Sequence, residues 1–114
     1  MDRNIEGFAE QVRACGRNIQ KAQVALARAE ATLKRTIAQK KAECMAYGVK
    51  ANNAQEDYAD KSDEVFEARL AVGVARGNLD AAQTERRAAE IEFELWRTKR
   101  ADDRAERGRY AAGG

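Results

Sequence analysis

From Ile5 to Leu33, apolar residues recur at alternating steps of three and four without a miss: Ile5, Phe8, Val12, Cys15, Ile19, Ala22, Leu26, Ala29 and Leu33. That step keeps one stripe of a helix turned toward a partner helix, and it fits no strand, whose side chains alternate with period two. β-Branched residues and Leu alternate with smaller ones along the stripe, Phe8 excepted. With no proline in the chain, no residue both lacks its amide hydrogen and clashes with the preceding turn. The series then skips by four to Ile37 and runs less regularly through Cys44, Met45 and Tyr47, a step that locally relaxes a supercoil. Gly7 and Gly16 make the first turns the weakest, at a cost of about 1 kcal/mol each relative to Ala.

Tyr47-Gly48 reads as a helix stop, with Gly48 free to take the left-handed conformation. Asn53 with Glu56 three residues later reads as an N-cap and capping box. Asp57, Asp60, Asp63 and Glu64 follow, where the positive end of a helix dipole favours acids. These signals predict one helix over about 4–47, a bend at 48–53, a second helix over about 54–107, and a flexible tail at 108–114.

The second helix carries two stripes. One has Tyr58, Val65, Val72, Leu79 and Phe93 at intervals of seven, interrupted by Arg86, with Ala68, Ala75, Ala82, Ala89 and Trp96 three residues after the members from Val65 onward. The other, about 100° round the helix, has Phe66, Leu70, Gly73, Val74, Gly77, Ala81, Ala88, Ile91 and Leu95. Either one broad stripe wraps round a single partner, or the helix touches two neighbours, as in a four-helix bundle. The second reading places Val65, Phe66, Leu70, Val74, Ile91 and Leu95 at an interface between chains.

Charge bears on the same question. Residues 1–50 hold ten basic against five acidic side chains, residues 51–96 hold five against eleven, and residues 97–114 hold six against three. A basic helix followed by an acidic one can fold back with opposite charges along the seam. Folding about residue 51 sets Lys41 opposite Asp60 to Glu64, Lys34 and Arg35 opposite Glu67, Arg13 opposite Glu90, and Arg17 opposite Glu85. The same register lands Phe8 on Phe93, Ile5 on Trp96 and Ile37 on Val65. Each exposed pair is worth less than about 1 kcal/mol, so such pairs select a register more than they stabilise it. The expected fold is therefore all-α: an antiparallel two-helix coiled-coil hairpin that dimerises into a four-helix bundle. Few bulky side chains mean a thin core, and self-association buries more apolar surface.

Catalysis is not expected. Without histidine, acid–base chemistry falls to carboxylates, lysines or tyrosines in a desolvated pocket, and the carboxylates here serve charge pairing. Gly73 and Gly77 lack the lysine and hydroxyl of a phosphate-binding loop. They read instead as small residues where another helix approaches closely. No ligand set has metal spacing, and no cofactor is expected. Cys15 and Cys44, on one helix, are too far apart to bond to each other. Cys15 reads as a small core residue and Cys44 as a free thiol.

No apolar run approaches the ~20 residues needed to cross a bilayer. Met1-Asp2-Arg3-Asn4 lacks a signal-peptide pattern, so a cytoplasmic protein without membrane association is expected.

Two groups could meet an external partner: the end of the second helix, with Trp96, Arg97, Arg100 and Arg104, and its acidic opening, with Asp60 and Glu64. Arg97, Lys99, Arg100, Arg104, Arg107 and Arg109 could contact phosphates, although Asp102, Asp103 and Glu106 dilute them and no aromatic residues interleave for base stacking. Trp96 reads as a plug for the open end of the hairpin, or as an exposed anchor for a partner.

The ending Glu92-Phe93-Glu94-Leu95-Trp96-Arg97-Thr98-Lys99-Arg100-Ala101 resembles the C-terminal helix of small coiled-coil proteins of uncharacterised role encoded by bacteriophages and prophages. The resemblance brings no active residues with it, and implies an accessory protein acting in a bacterial cytoplasm. Together these readings point to a non-catalytic protein–protein interaction module: a scaffold, adaptor or inhibitor that binds itself and one other, unidentified protein. The alternative is a nucleic-acid-associated accessory protein that uses the basic tail.

Overall fold

The computed structural model describes the backbone of residues 5–113 and the side chains of residues 5–109. It is all-α, with three helices among the described residues: α1 (Ile5–Ala46), α2 (Asn52–Asp60) and α3 (Asp63–Gly113). The chain divides into two compact units: the described parts of Met1–Asn18 and Ala82–Gly114, and the segment Ile19–Ala81. We refer to them as the terminal unit and the bend unit.

In the bend unit, α1 stops where glycine allows it. Gly48 has φ 93°, a left-handed conformation that strains any residue with a Cβ. The amides of Tyr47 and Gly48 tighten the last turn by donating to the carbonyls of Cys44 and Met45. The expected capping box does not form. α2 starts after Ala51, which has extended backbone angles and offers no side-chain cap, while the Asn53 carboxamide oxygen accepts only from the adjacent Ala54 amide. A different contact anchors this end: Gln55, buried, donates through Nε2 to the Val49 carbonyl at 3.0 Å and ties α2 to the segment before it.

The single second helix expected over 54–107 is broken at Lys61-Ser62. The Ser62 hydroxyl donates to the Ala59 carbonyl at 2.7 Å and accepts the Val65 amide at 3.3 Å, so it closes α2 and caps α3 together. The break shifts the buried phase by one residue. Ala59 is buried where the heptad count nominated Tyr58, because α2 and α3 are not one continuous helix. Past the break the expected seam is buried at Val65, Ala68, Val72 and Ala75, facing a helix α1 buried at Cys44 and half-buried at Ala22, Leu26, Ala29, Leu33 and Ile37.

Ion pairs join the segments of this unit: Glu30 to Arg76 at 3.6 Å, Lys40 to Glu64 at 3.3 Å and Lys41 to Glu56 at 3.8 Å. As one partner moves toward the N-terminus the other moves toward the C-terminus; Lys40 and Lys41 have the expected polarity, a base on α1 against an acid, whereas Glu30–Arg76 has the reverse. Lys34, Arg35 and Glu67 form no such pair among the described residues.

In the terminal unit, Phe8, Cys15 and Ala89 are buried, and Phe93 and Trp96 are half-buried. Phe8 meets Phe93 at 5.5 Å between ring centroids and Trp96 at 5.3 Å, and Phe93 stacks on Trp96 at 6.0 Å. Such pairs contribute about 0.5–1.5 kcal/mol each beyond area burial. Phe8 rather than Ile5 takes the Trp96 ring, and Ile5 stays 61 % exposed. The expected pairs of Arg13 with Glu90 and Arg17 with Glu85 are replaced by contacts within single helices. Arg13 and Arg17 both bind Glu10, at 3.2 and 2.9 Å, and Arg86 binds Glu90 at 3.1 Å. α3 continues to Gly113, through the stretch from residue 108 where a flexible tail was expected. Gly108 is an isolated glycine among Ala and Arg, and its cost of about 1 kcal/mol does not end a helix of good formers.

Candidate interaction site

The two stripes of α3 have different fates. The first is the seam. The second is left uncovered: Phe66, Leu70 and Val74 in the bend unit, and Ile91 and Leu95 in the terminal unit, are between 49 and 66 % exposed. Val65 is corrected. It was placed with them at an interface between chains, but it is 0 % exposed within its own chain. One residue before Phe66, it lies about 100° round the helix and on the seam side. Around the exposed residues of the bend unit, Gly73 and Gly77 have nothing within 4 Å of where a Cβ would stand. Among the described residues no helix makes the close approach that those glycines permit.

The nominated basic and aromatic residues come together in the terminal unit. Ile5, Phe93, Trp96, Arg97, Arg100, Ala101 and Arg104 line one open groove of about 460 Å³. The side chains from α3 recur at helical spacing on one face, so the seam continues past Phe93 as an apolar floor edged by guanidinium groups. Arg97 lies 5.9 Å from the Phe93 ring centroid and Arg100 lies 5.4 Å from that of Trp96, a contact worth about 0.5–1 kcal/mol at exposed sites. Arg97 also pairs with Glu94 at 3.4 Å. Among the described residues Arg100 and Arg104, one turn apart, pair with no carboxylate.

The acidic residues nominated with them belong to the bend unit. Asp60 binds Arg69 at 2.7 Å, and Glu64 binds Lys40 at 3.3 Å. Backbone hydrogen bonding at the start of α3, then Lys40, hold the Glu64 carboxyl below the ordinary glutamate range. Lys40 is correspondingly held above the ordinary lysine range by Glu43 first and Glu64 second. Asn53, Ala54, Glu56, Asp57 and Asp60 form an open, polar hollow on one face of α2.

Neither cysteine is exposed. Cys15 is in the core as expected, and Cys44, read as a free thiol, is unbonded and also buried, at 4 %. Gln55 and Ser62, which shape the bend, had not been singled out. For Ser62 the signal was available, since a serine followed by acidic residues and an apolar run is an N-cap pattern.

No protein-family model, curated protein or solved structure matches this chain. Its own residues therefore carry the functional reading. Among the described residues no three Cys, Asp or Glu side chains gather as a metal site needs, and no described helix is long and apolar enough to cross a membrane.

Proposed function

We propose that the chain is a non-catalytic interaction module, an antiparallel hairpin that pairs with a second copy through the outer stripe of α3 into a four-helix bundle. The observation that carries this reading is the exposure of Phe66, Leu70, Val74, Ile91 and Leu95 at helical spacing on a helix whose other stripe is already buried. Removing the exposed half of such side chains from water is worth roughly 1 kcal/mol apiece. The open space at Gly73 and Gly77 suits close approach by another helix. The assembly then serves as a scaffold, adaptor or inhibitor by occupying a surface on another macromolecule. Its resemblance to phage-encoded coiled-coil proteins suggests an accessory role in a bacterial cytoplasm.

The solution mass tests the pairing. The unaltered chain is expected at twice its monomer mass of 12.6 kDa, and Leu70→Glu at the monomer mass with its helicity intact. Gly77→Ala sharpens the result. It should stabilise the monomer by about 0.5–1 kcal/mol, since nothing crowds a Cβ there, and weaken the dimer. A monomer from the unaltered chain refutes the proposal. Spin labels at Arg17 and Glu85 test the hairpin: a short distance supports it, and a separation of many nanometres overturns it. Affinity capture from the host then identifies the partner.

A nucleic-acid-associated role keeps one observation in its favour, the unpaired Arg100 and Arg104. It requires binding of an oligonucleotide that falls steeply with salt and is lost on Arg100→Glu with Arg104→Glu.

A further inference from the structure

We propose that the groove bounded by Trp96, Arg100 and Arg104 receives the acidic face of α2 from a second copy of the chain. This contact is separate from the pairing of outer stripes.

The groove has two properties that define its occupant. Its floor is apolar, from Ile5, Phe93 and Trp96, and its edge is cationic, from Arg97, Arg100 and Arg104. Three guanidinium groups along one face of a helix repel each other, and only Arg97 finds a carboxylate on its own helix. An anionic surface that brings carboxylates to Arg100 and Arg104 relieves that repulsion. Phe8, Phe93 and Arg100 already engage the Trp96 ring, so it is a poor platform for a nucleic-acid base. A protein surface rich in carboxylates suits it better.

This chain carries such a surface. From Asn52 to Glu64 there are five acidic residues and one lysine. Glu56, Asp57 and Asp60 share one face of α2, and their side chains are 56, 67 and 55 % exposed. They pair with Lys41, Lys61 and Arg69, but exposed pairs contribute well under about 1 kcal/mol and exchange readily for a better partner. The lengths agree. Arg97 to Arg104 covers about 10 Å of helix and Glu56 to Asp60 about 6 Å within α2, so one turn of carboxylates fits inside two turns of guanidinium groups. A contact of this composition weakens with salt, whereas apolar pairing through the outer stripe does not.

The test uses the full chain carrying Leu70→Glu, which removes the outer-stripe contact. Sedimentation measures association at low and moderate salt. The emission of Trp96, the only tryptophan, reports whether the groove is occupied. At low salt the chain should still associate as its concentration rises, with a parallel change in Trp96 emission. Moderate salt, Arg100→Glu with Arg104→Glu, or Asp57→Lys with Asp60→Lys should each weaken association about tenfold. A chain carrying all four reversals should recover it, which loss of folding would not allow. The proposal is overturned if the Leu70→Glu chain is monomeric at low salt with constant emission, or if the fourfold reversal restores nothing. It is also overturned if an oligonucleotide shifts Trp96 emission through Arg100 and Arg104 while the chain stays monomeric; the groove then belongs to nucleic acid. None of these outcomes depends on whether the outer stripe pairs.

Discussion

The two compact units hold their segments together by different means. The bend unit packs small residues, with Ala59, Val65, Ala68, Val72 and Ala75 as its buried side chains from α2 and α3, and spans its segments with the pairs Glu30–Arg76, Lys40–Glu64 and Lys41–Glu56. The terminal unit relies on three rings, Phe8, Phe93 and Trp96, while Glu10, Arg86 and Arg97 find charged partners on their own helices. Helix separation follows the size of the side chains between the axes. Small side chains in a seam favour close approach, which brings a lysine or arginine within reach across it, whereas rings favour partners on the same helix. Complementary charge thus helps to choose the pairing in one unit and mainly decorates helix surfaces in the other.

The contrast can be broken by substitution. Phe8→Ala removes the ring shared by both aromatic pairs from α1 to α3 and should cost about 3 kcal/mol or more. Amide exchange should accelerate through residues 5–18 and 82–100 while the bend unit keeps its protection. Equal acceleration in both would mean that the units open as one. Val65→Ala, at a fully buried site of the bend unit, should cost about 2 kcal/mol and reverse that pattern. Ser62→Ala should cost about 1 kcal/mol, read as a lower denaturation midpoint, because one hydroxyl serves the end of α2 and the start of α3.

Acid has the smallest expected effect and sharpens the charge comparison. Hydrogen bonds from Arg17 and then Arg13 hold the Glu10 carboxyl below the ordinary glutamate range, and Glu64 is lowered as well. Groups lowered in this way lend stability that is complete above the ordinary glutamate range and is lost as pH falls through the folded-state values. Lys40, raised, lends stability complete below the ordinary lysine range and lost as pH climbs through its folded-state value. A titration followed by helicity should therefore show a shallow loss at acid pH that Glu64→Gln reduces in the bend unit and Glu10→Gln reduces in the terminal unit.

Much of this architecture can be read from spacing. The seam from Phe8 to Leu33, its continuation at Val65, Val72, Ala75 and Ala89, the left-handed Gly48 and the meeting of Phe8 with Phe93 follow from heptads and one turn signal. The break at Lys61-Ser62 was obscured because Asp57, Asp60, Asp63 and Glu64 look like the acidic first turns of one helix when they belong to the end of one and the start of another. Gln55 was hidden for a different reason: its amide is satisfied in the buried site by a hydrogen bond to Val49, which no periodicity records. The ion-pair register was only partly legible. An arginine has many carboxylates within reach, and Glu10 lies nearer to Arg13 and Arg17 than any acid of α3 does in sequence. Of the proposed contact residues, the outer stripe and the arginine groove were visible as patterns, whereas the removal of Val65 from that surface required knowing which side of α3 faces inward.

One further consequence lies with the two thiols. Cys15 is sealed inside the terminal unit and Cys44 inside the bend unit, and neither is bonded. An alkylating reagent can reach each sulfur only while its surroundings come apart. The unaltered polypeptide thus carries two built-in stopwatches, and the ratio of their labelling rates tells which half breathes first.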